Sequence, residues 1–196
     1  EPPANSIFLD GRDITRVPLD DLRAAIAYVP QDSFLFSRSV ADNIAFETRP
    51  HSSDEIAAAA RDADLEHDVL TLAGAYDTVV GERGVTLSGG QRQRVALARA
   101  LIRSAPVLVL DDCLSAVDTA TETRILESLR AYTRSRTTVI VSHRVSAVRH
   151  ADEILVLDAG RVVERGDHER LMAGEGEYAR LYRRQLLEMA LEEDRS

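Results

Sequence analysis

Short apolar runs without alternation recur along the chain between longer stretches of helical spacing. Ile26-Ala27-Tyr28-Val29-Pro30 stops at Gln31, Val107-Leu108-Val109-Leu110 stops at Asp111-Asp112, and Val139-Ile140-Val141 stops at Ser142-His143. Runs of this kind, rich in β-branched residues and separated by helical patterns, predict strands of a parallel sheet covered on both faces. Ligands of such sheets bind beyond the carboxyl ends of the strands, so Gln31, Asp111, Asp112 and His143 are predicted to converge on one rim. Singly, each has a bland reading: a cap or turn carboxylate, a solvated amide, a satisfied imidazole. The combination is what points to chemistry.

The intervening segments supply helices. Ser52 and Glu55 stand three apart, in capping-box form, before the alanine-rich IAAAARDADL. From Thr119 to Tyr132, Ile125 and Leu129 lie four apart with Leu126 beside them, giving one face to pack on the sheet. Ile154–Leu157, then Asp158-Ala159-Gly160, then Arg161–Val163 predict a hairpin, and Tyr178, Leu181, Tyr182, Leu186 and Met189 predict a C-terminal helix starting near Glu177. One helix start stands apart. In Leu87-Ser88-Gly89-Gly90-Gln91-Arg92-Gln93-Arg94, two glycines and a serine precede the helical run VALARALI. Unpartnered N–H groups and the positive end of a helix dipole make such a start an anion site, and glycine lets a phosphate come close.

Composition sharpens this picture. All 24 basic residues are arginine, so no phosphate-binding loop of the form G-x-x-x-x-G-K-[ST] occurs in the sequence. The net charge of −9, with no basic cluster, argues against nucleic acid as the main partner. No apolar stretch approaches the ~20 residues needed to cross a bilayer. With a single cysteine, Cys113, there is neither an internal disulfide nor a cysteine-built zinc site, and the residue reads as a small buried hydrophobe.

An aspartate closing a four-residue apolar strand, shortly after a Gly-Gly anion motif, is the Walker-B arrangement of nucleotide hydrolases. With LSGGQRQR, VLVLDD and the strand-end Gln31 and His143 in place, nearly all of the sequence resembles the nucleotide-binding domain of an ABC transporter. The resemblance implies an α/β fold. A RecA-like parallel-sheet ATPase core would span 1–36 and 104–170, an α-helical signature subdomain 37–103, and a C-terminal helix and tail 171–196. It also implies ATP and Mg²⁺ as ligands. Gln31 resembles the Q-loop glutamine and, with Asp111, a Mg²⁺ ligand; Asp112 and His143 resemble the catalytic pair; Ser115 to Asp118 resemble the D-loop, with Asp118 reaching across the dimer. Glu82 and Arg83, in GERG, resemble the exporter X-loop that senses the membrane domain's intracellular loops, as would the apolar residues of Asp32–Phe36. Ser88, Gly89, Gly90 and Gln91 match the signature motif, which in this family contacts the γ-phosphate of ATP bound to a second nucleotide-binding domain. The tail from Ala151 resembles exporters whose transmembrane helices are fused upstream, placing the domain on the cytoplasmic face of the cell membrane.

Two departures stand out. IFLDGRDITRV resembles the strand and turn that follow the P-loop helix, so the sequence is expected to begin downstream of that loop and to bind ATP poorly by itself. Asp112 stands where the family usually has a glutamate, and its shorter reach predicts slow hydrolysis. An intact signature beside a weakened site suggests the degenerate subunit of a heterodimeric exporter. The competing readings are a non-enzymatic dimerising or regulatory domain and a soluble ABC ATPase acting on nucleic acid or ribosomes; GERG, the single domain and the negative charge favour the exporter.

Overall fold

The computed structural model describes residues 2–46, 50–81 and 84–193, which form two compact units divided between Val141 and Ser142. In the first unit a small hairpin, β1 (Phe8–Leu9) and β2 (Arg12–Asp13), precedes α1 (Leu19–Ala25) and β3 (Ile26–Val29). Four helices follow: α2 (Val40–Ile44), α3 (Ser53–Asp62), α4 (Glu66–Thr71) and α5 (Gly89–Ile102). The unit is completed by β4 (Val107–Asp111), α6 (Thr119–Thr133) and β5 (Thr137–Val141).

The three predicted strands form one parallel sheet in the order β3-β4-β5, with Val29 beside Leu110 and Asp111 beside Val141. Among the described residues of the first unit, the two faces of the sheet differ in burial. Ala27, Val29, Leu108 and Leu110 are buried, whereas Tyr28, Val139 and Val141 on the other face are 53%, 46% and 51% exposed. On the buried side, α5 contributes Val95, Leu97, Ala98 and Leu101, packed against α2, α3 and β3, and α6 contributes Ile125 and Leu129.

The helix starts follow local chemistry. Ser52 accepts from the Glu55 N–H while the Glu55 carboxylate accepts from the Ser52 N–H, the complete capping box read from the sequence. Ser39 caps α2 by accepting from the Asp42 N–H, and Asp118 caps α6 by accepting from the Thr121 N–H. At the end of α3 the chain turns at Asp64, whose φ of 51° lies in the left-handed region that a short polar side chain tolerates.

The second unit contains α7 (Val145–Val148), the hairpin β6 (Ile154–Asp158) and β7 (Arg161–Gly166), α8 (His168–Ala173) and α9 (Glu177–Glu193). Ala159 and Gly160 both have positive φ, 46° and 76°, as a two-residue hairpin turn compatible with strand twist requires. Val145, Ile154, Val156, Leu171 and Tyr178 form this unit's core.

Candidate functional site

At the carboxyl end of the sheet, β3 and β4 bring Gln31, Asp111 and Asp112 together. Gln31 Nε2 donates to Asp112 Oδ2 over 3.5 Å, and Tyr28, two residues before the end of the apolar run, donates its hydroxyl to Asp111 Oδ2 at 2.9 Å. The neighbouring carboxylate raises the Tyr28 phenol above its ordinary range, because the phenol proton is held by the hydrogen bond. Asp112 leaves the strand with a φ of 44°, and its N–H donates to the Val141 carbonyl at 2.8 Å. A left-handed aspartate redirects the chain immediately after the strand, so the two adjacent carboxylates follow different backbone geometries. Among the described residues no group of three His, Cys, Asp or Glu side chains is arranged to hold a metal ion. Mg²⁺ requires less from a protein: one or two carboxylate oxygens, with waters and phosphates completing the shell. The hard oxygens of Asp111 and of the Gln31 amide carbonyl fit that demand.

The loop after Gln31 is partly buried and partly exposed. Leu35 is buried and Phe36 stacks on Phe46 with centroids 4.1 Å apart, while Phe34 is exposed. Arg99 of α5 fastens this loop, donating to the carbonyls of Phe34 and Asn43 at 3.1 and 2.7 Å and lying over the Phe36 and Phe46 rings.

The second constellation is the start of α5. Ser88 is its N-cap, accepting from the Gln91 N–H at 3.2 Å, and the Gln91 side-chain oxygen accepts from the Ser88 N–H at 2.9 Å. This is a second full capping box, built with glutamine. It consumes two of the orphan donors and leaves the N–H groups of the half-buried Gly89 and Gly90 as ones the first turn cannot satisfy internally. The loop Ser115–Asp118 lies against this start. Gln93, only 6% exposed, accepts from the Ala116 N–H at 2.9 Å and donates to Ser115 Oγ at 3.1 Å; Ser115 Oγ in turn donates to the Asp112 carbonyl at 2.9 Å. The start of α5 is thereby tied to the end of β4 through two side chains. Asp118 is exposed and engaged as a helix cap, and the Thr121 backbone N–H holds its carboxyl below the usual carboxylate range.

His143 belongs to the second unit, on an exposed stretch before α7. Gln185 of α9 pins that stretch, donating to the His143 carbonyl at 2.6 Å and accepting from the Val145 N–H at 2.8 Å. Glu82 and Arg83 lie outside the described residues. Sequence reasoning missed Tyr28, Gln93, Arg99 and Gln185. Each acts through a partner 22 or more residues away, and of these only the buried position of Gln93 on an apolar helix face left a trace in the pattern.

Comparison with known proteins gives a consistent result. The profile of the ABC transporter family (ABC_tran) matches residues 1–115. The chain is 47% identical over 186 residues to a probable multidrug resistance ABC transporter ATP-binding/permease protein, YheI, of Bacillus subtilis, covering 95% of this chain and 32% of that protein. It is 45% identical over 190 residues to an ATM1-type heavy metal exporter of Novosphingobium aromaticivorans, covering 97% and 31%. A bacterial Atm1-family ABC exporter solved with ATP bound superposes with a TM-score of 0.86 at 45% identity, over 91% of this chain and 32% of that one. The chain thus spans about a third of the length of these relatives.

Proposed function

Because this chain belongs to the ABC transporter family, we propose that it acts as the ATP-binding and ATP-hydrolysing part of an exporter on the cytoplasmic face of a cell membrane. The observation that carries this reading is the capped start of α5, where Ser88, Gly89 and Gly90 present a hydroxyl and two backbone N–H groups beside an interlocked Ser115–Asp118 loop. Donors fixed in this way suit a phosphate whose charge grows during transfer, and they need no reorganisation when it does. The phosphate in question is that of ATP held by a second nucleotide-binding domain. Here Ser88, Gly89, Gly90 and Gln91 complete the partner's site, with Asp118 lying toward the same interface.

In the chain's own site, Asp111 and the Gln31 carbonyl would hold Mg²⁺, which when bound offsets the charge of the β- and γ-phosphates. Asp112 orients the attacking water as a weak base, and His143 assists by hydrogen bonding. The Asp112 side chain is one methylene shorter than glutamate, and a misplacement of ~1 Å costs about 100-fold in rate. Glu82 and Arg83, with the exposed Phe34, are proposed to sense the intracellular loops of a transmembrane domain. The core is proposed to span 1–36 and 104–170, with the signature subdomain at 37–103 and a C-terminal element at 171–196. The intact signature beside a shortened base favours a heterodimeric exporter, with hydrolysis concentrated at the partner's ATP. The reading tested against it is a domain that dimerises and regulates without hydrolysis.

The decisive experiment pairs this subunit with one bearing a P-loop. Ser88→Ala is expected to lower ATP hydrolysis by about tenfold or more, since a lost transition-state donor costs at least that. An unchanged rate refutes the in-trans reading and favours the regulatory one. Asp112→Glu is expected to raise hydrolysis; unchanged rate and unchanged nucleotide residence refute the degenerate site. The 196-residue chain alone is expected to show no Mg²⁺-dependent hydrolysis, and turnover abolished by Asp111→Ala refutes that.

A further inference from the structure

A carboxylate from another helix touches the signature start. Asp68 of α4 accepts from Gln91 Nε2 at 3.2 Å through Oδ1, and its Oδ2 pairs with Arg94 Nη1 at 2.7 Å. The Arg94 side chain is only 13% exposed and also donates to the Asp64 carbonyl, so Asp68 is held against α5 from two directions. We propose that Asp68 is the positioning residue of the α5 anion site, setting which end of the Gln91 amide faces Ser88. The inference rests on the reading of Ser88 to Gln91 as the ATP-facing motif.

The argument turns on the two unlike ends of an amide. The Ser88 N–H needs an acceptor, which Gln91 Oε1 supplies at 2.9 Å, and this orientation directs Nε2 toward Asp68. An ionised carboxylate has no donor, so it accepts the NH₂ end and repels the oxygen end. Turned the other way, Gln91 would set NH₂ against the Ser88 N–H, donor against donor, while its oxygen met the carboxylate. Both contacts would be lost, and the box that fixes the first turn would open. Asp68 thereby selects one of two nearly isosteric states, and the selected one leaves the Gly89 and Gly90 N–H groups aligned for an anion. Asp68 does not itself meet the ligand. Neutralised by Arg94, it also places no net charge beside the phosphate.

The test has two arms. In the 196-residue chain, amide hydrogen exchange at Ser88 is read by NMR. Asp68→Ala is expected to accelerate that exchange by about tenfold with the amides of β4 unchanged, while Asp68→Asn, which still accepts through its carbonyl, retains part of the protection. Unchanged exchange at Ser88 in Asp68→Ala overturns the proposal. In the assembly with a P-loop-bearing partner, Asp68→Ala is expected to lower kcat about tenfold with KM within about twofold, and to add nothing in a Gln91→Ala background. Additive losses overturn it. If hydrolysis in that assembly ignores Ser88→Ala, the in-trans reading fails, and the exchange arm alone decides the role of Asp68.

Discussion

Adjacent glycines at the start of α5 should respond oppositely to the same substitution. A Cβ built on Gly90 would lie 2.9 Å from the Ala116 carbonyl oxygen and 3.3 Å from Val117 Cγ1, whereas one on Gly89 meets Ala116 Cβ at 3.5 Å, an ordinary contact. Neither residue has the positive φ that would strain an alanine. Alanine therefore gains up to ~1 kcal/mol of helix propensity at both positions. At Gly90 that gain is set against overpacking on backbone that cannot swing aside, a cost of about 1–3 kcal/mol. Gly89→Ala is expected to leave the first unit as stable as before or slightly more so, and Gly90→Ala to destabilise it by up to about 2 kcal/mol. With a urea slope of about 1–3 kcal/mol/M, the two midpoints should differ by about 1 M. Urea titration followed by far-UV circular dichroism measures this directly. A Gly90→Ala midpoint equal to or above that of Gly89→Ala would refute the packing argument and return Gly90 to a purely ligand-facing role.

Three further outcomes are expected. Gln93→Leu removes the acceptor of the exposed Ala116 N–H and the donor to Ser115 Oγ, and should cost about 1 kcal/mol in urea; an unchanged midpoint would show that Gln93 does not hold the loop. The Asp118 carboxyl is held below its ordinary 3.8 by the Thr121 N–H, so its contribution is complete above that value and fades as pH falls through the lowered folded value. Stability profiles should therefore drop less steeply at low pH in Asp118→Asn than in the unchanged protein, and parallel profiles would contradict this. Burial, with the Asp111 and Asp112 charges adding to it, pushes the Cys113 thiol up to about 12, so iodoacetamide at pH 8 should alkylate it only after denaturation.

What the sequence revealed was local. The two capping boxes follow from residues three apart, and the ends of β3, β4 and β5 follow from where apolar runs meet Gln31, Asp111 and Ser142. The Ser52 box was legible as such; the Ser88 box was read only as an anion site, because a glutamine at the third helical position is less conspicuous than a glutamate. The glycines were read as giving access to a phosphate, and Gly90 proves also to make room for the Ala116 carbonyl, a neighbour 26 residues on in the chain. Asp68 lies 23 residues from Gln91, and Tyr28 lies 83 from Asp111. No periodicity encodes pairings of that range, since they depend on how α4 and β3 are placed by the core. The left-handed backbone of Asp112 was equally hidden: aspartate tolerates that region without requiring it.

The bond between Gln31 and Asp112 closes a chain segment of 81 residues. Closing a flexible loop of that length costs roughly 4 kcal/mol of chain entropy, far more than one long hydrogen bond returns. Helices α2 to α5 fall within the segment and shorten it before the strands can meet, so this rim is expected to assemble late in folding. Substitutions at Gln31 or Tyr28 should accordingly hasten unfolding while leaving the folding rate almost untouched. The chemically richest edge of the sheet would then be among the last parts to form and the first to let go.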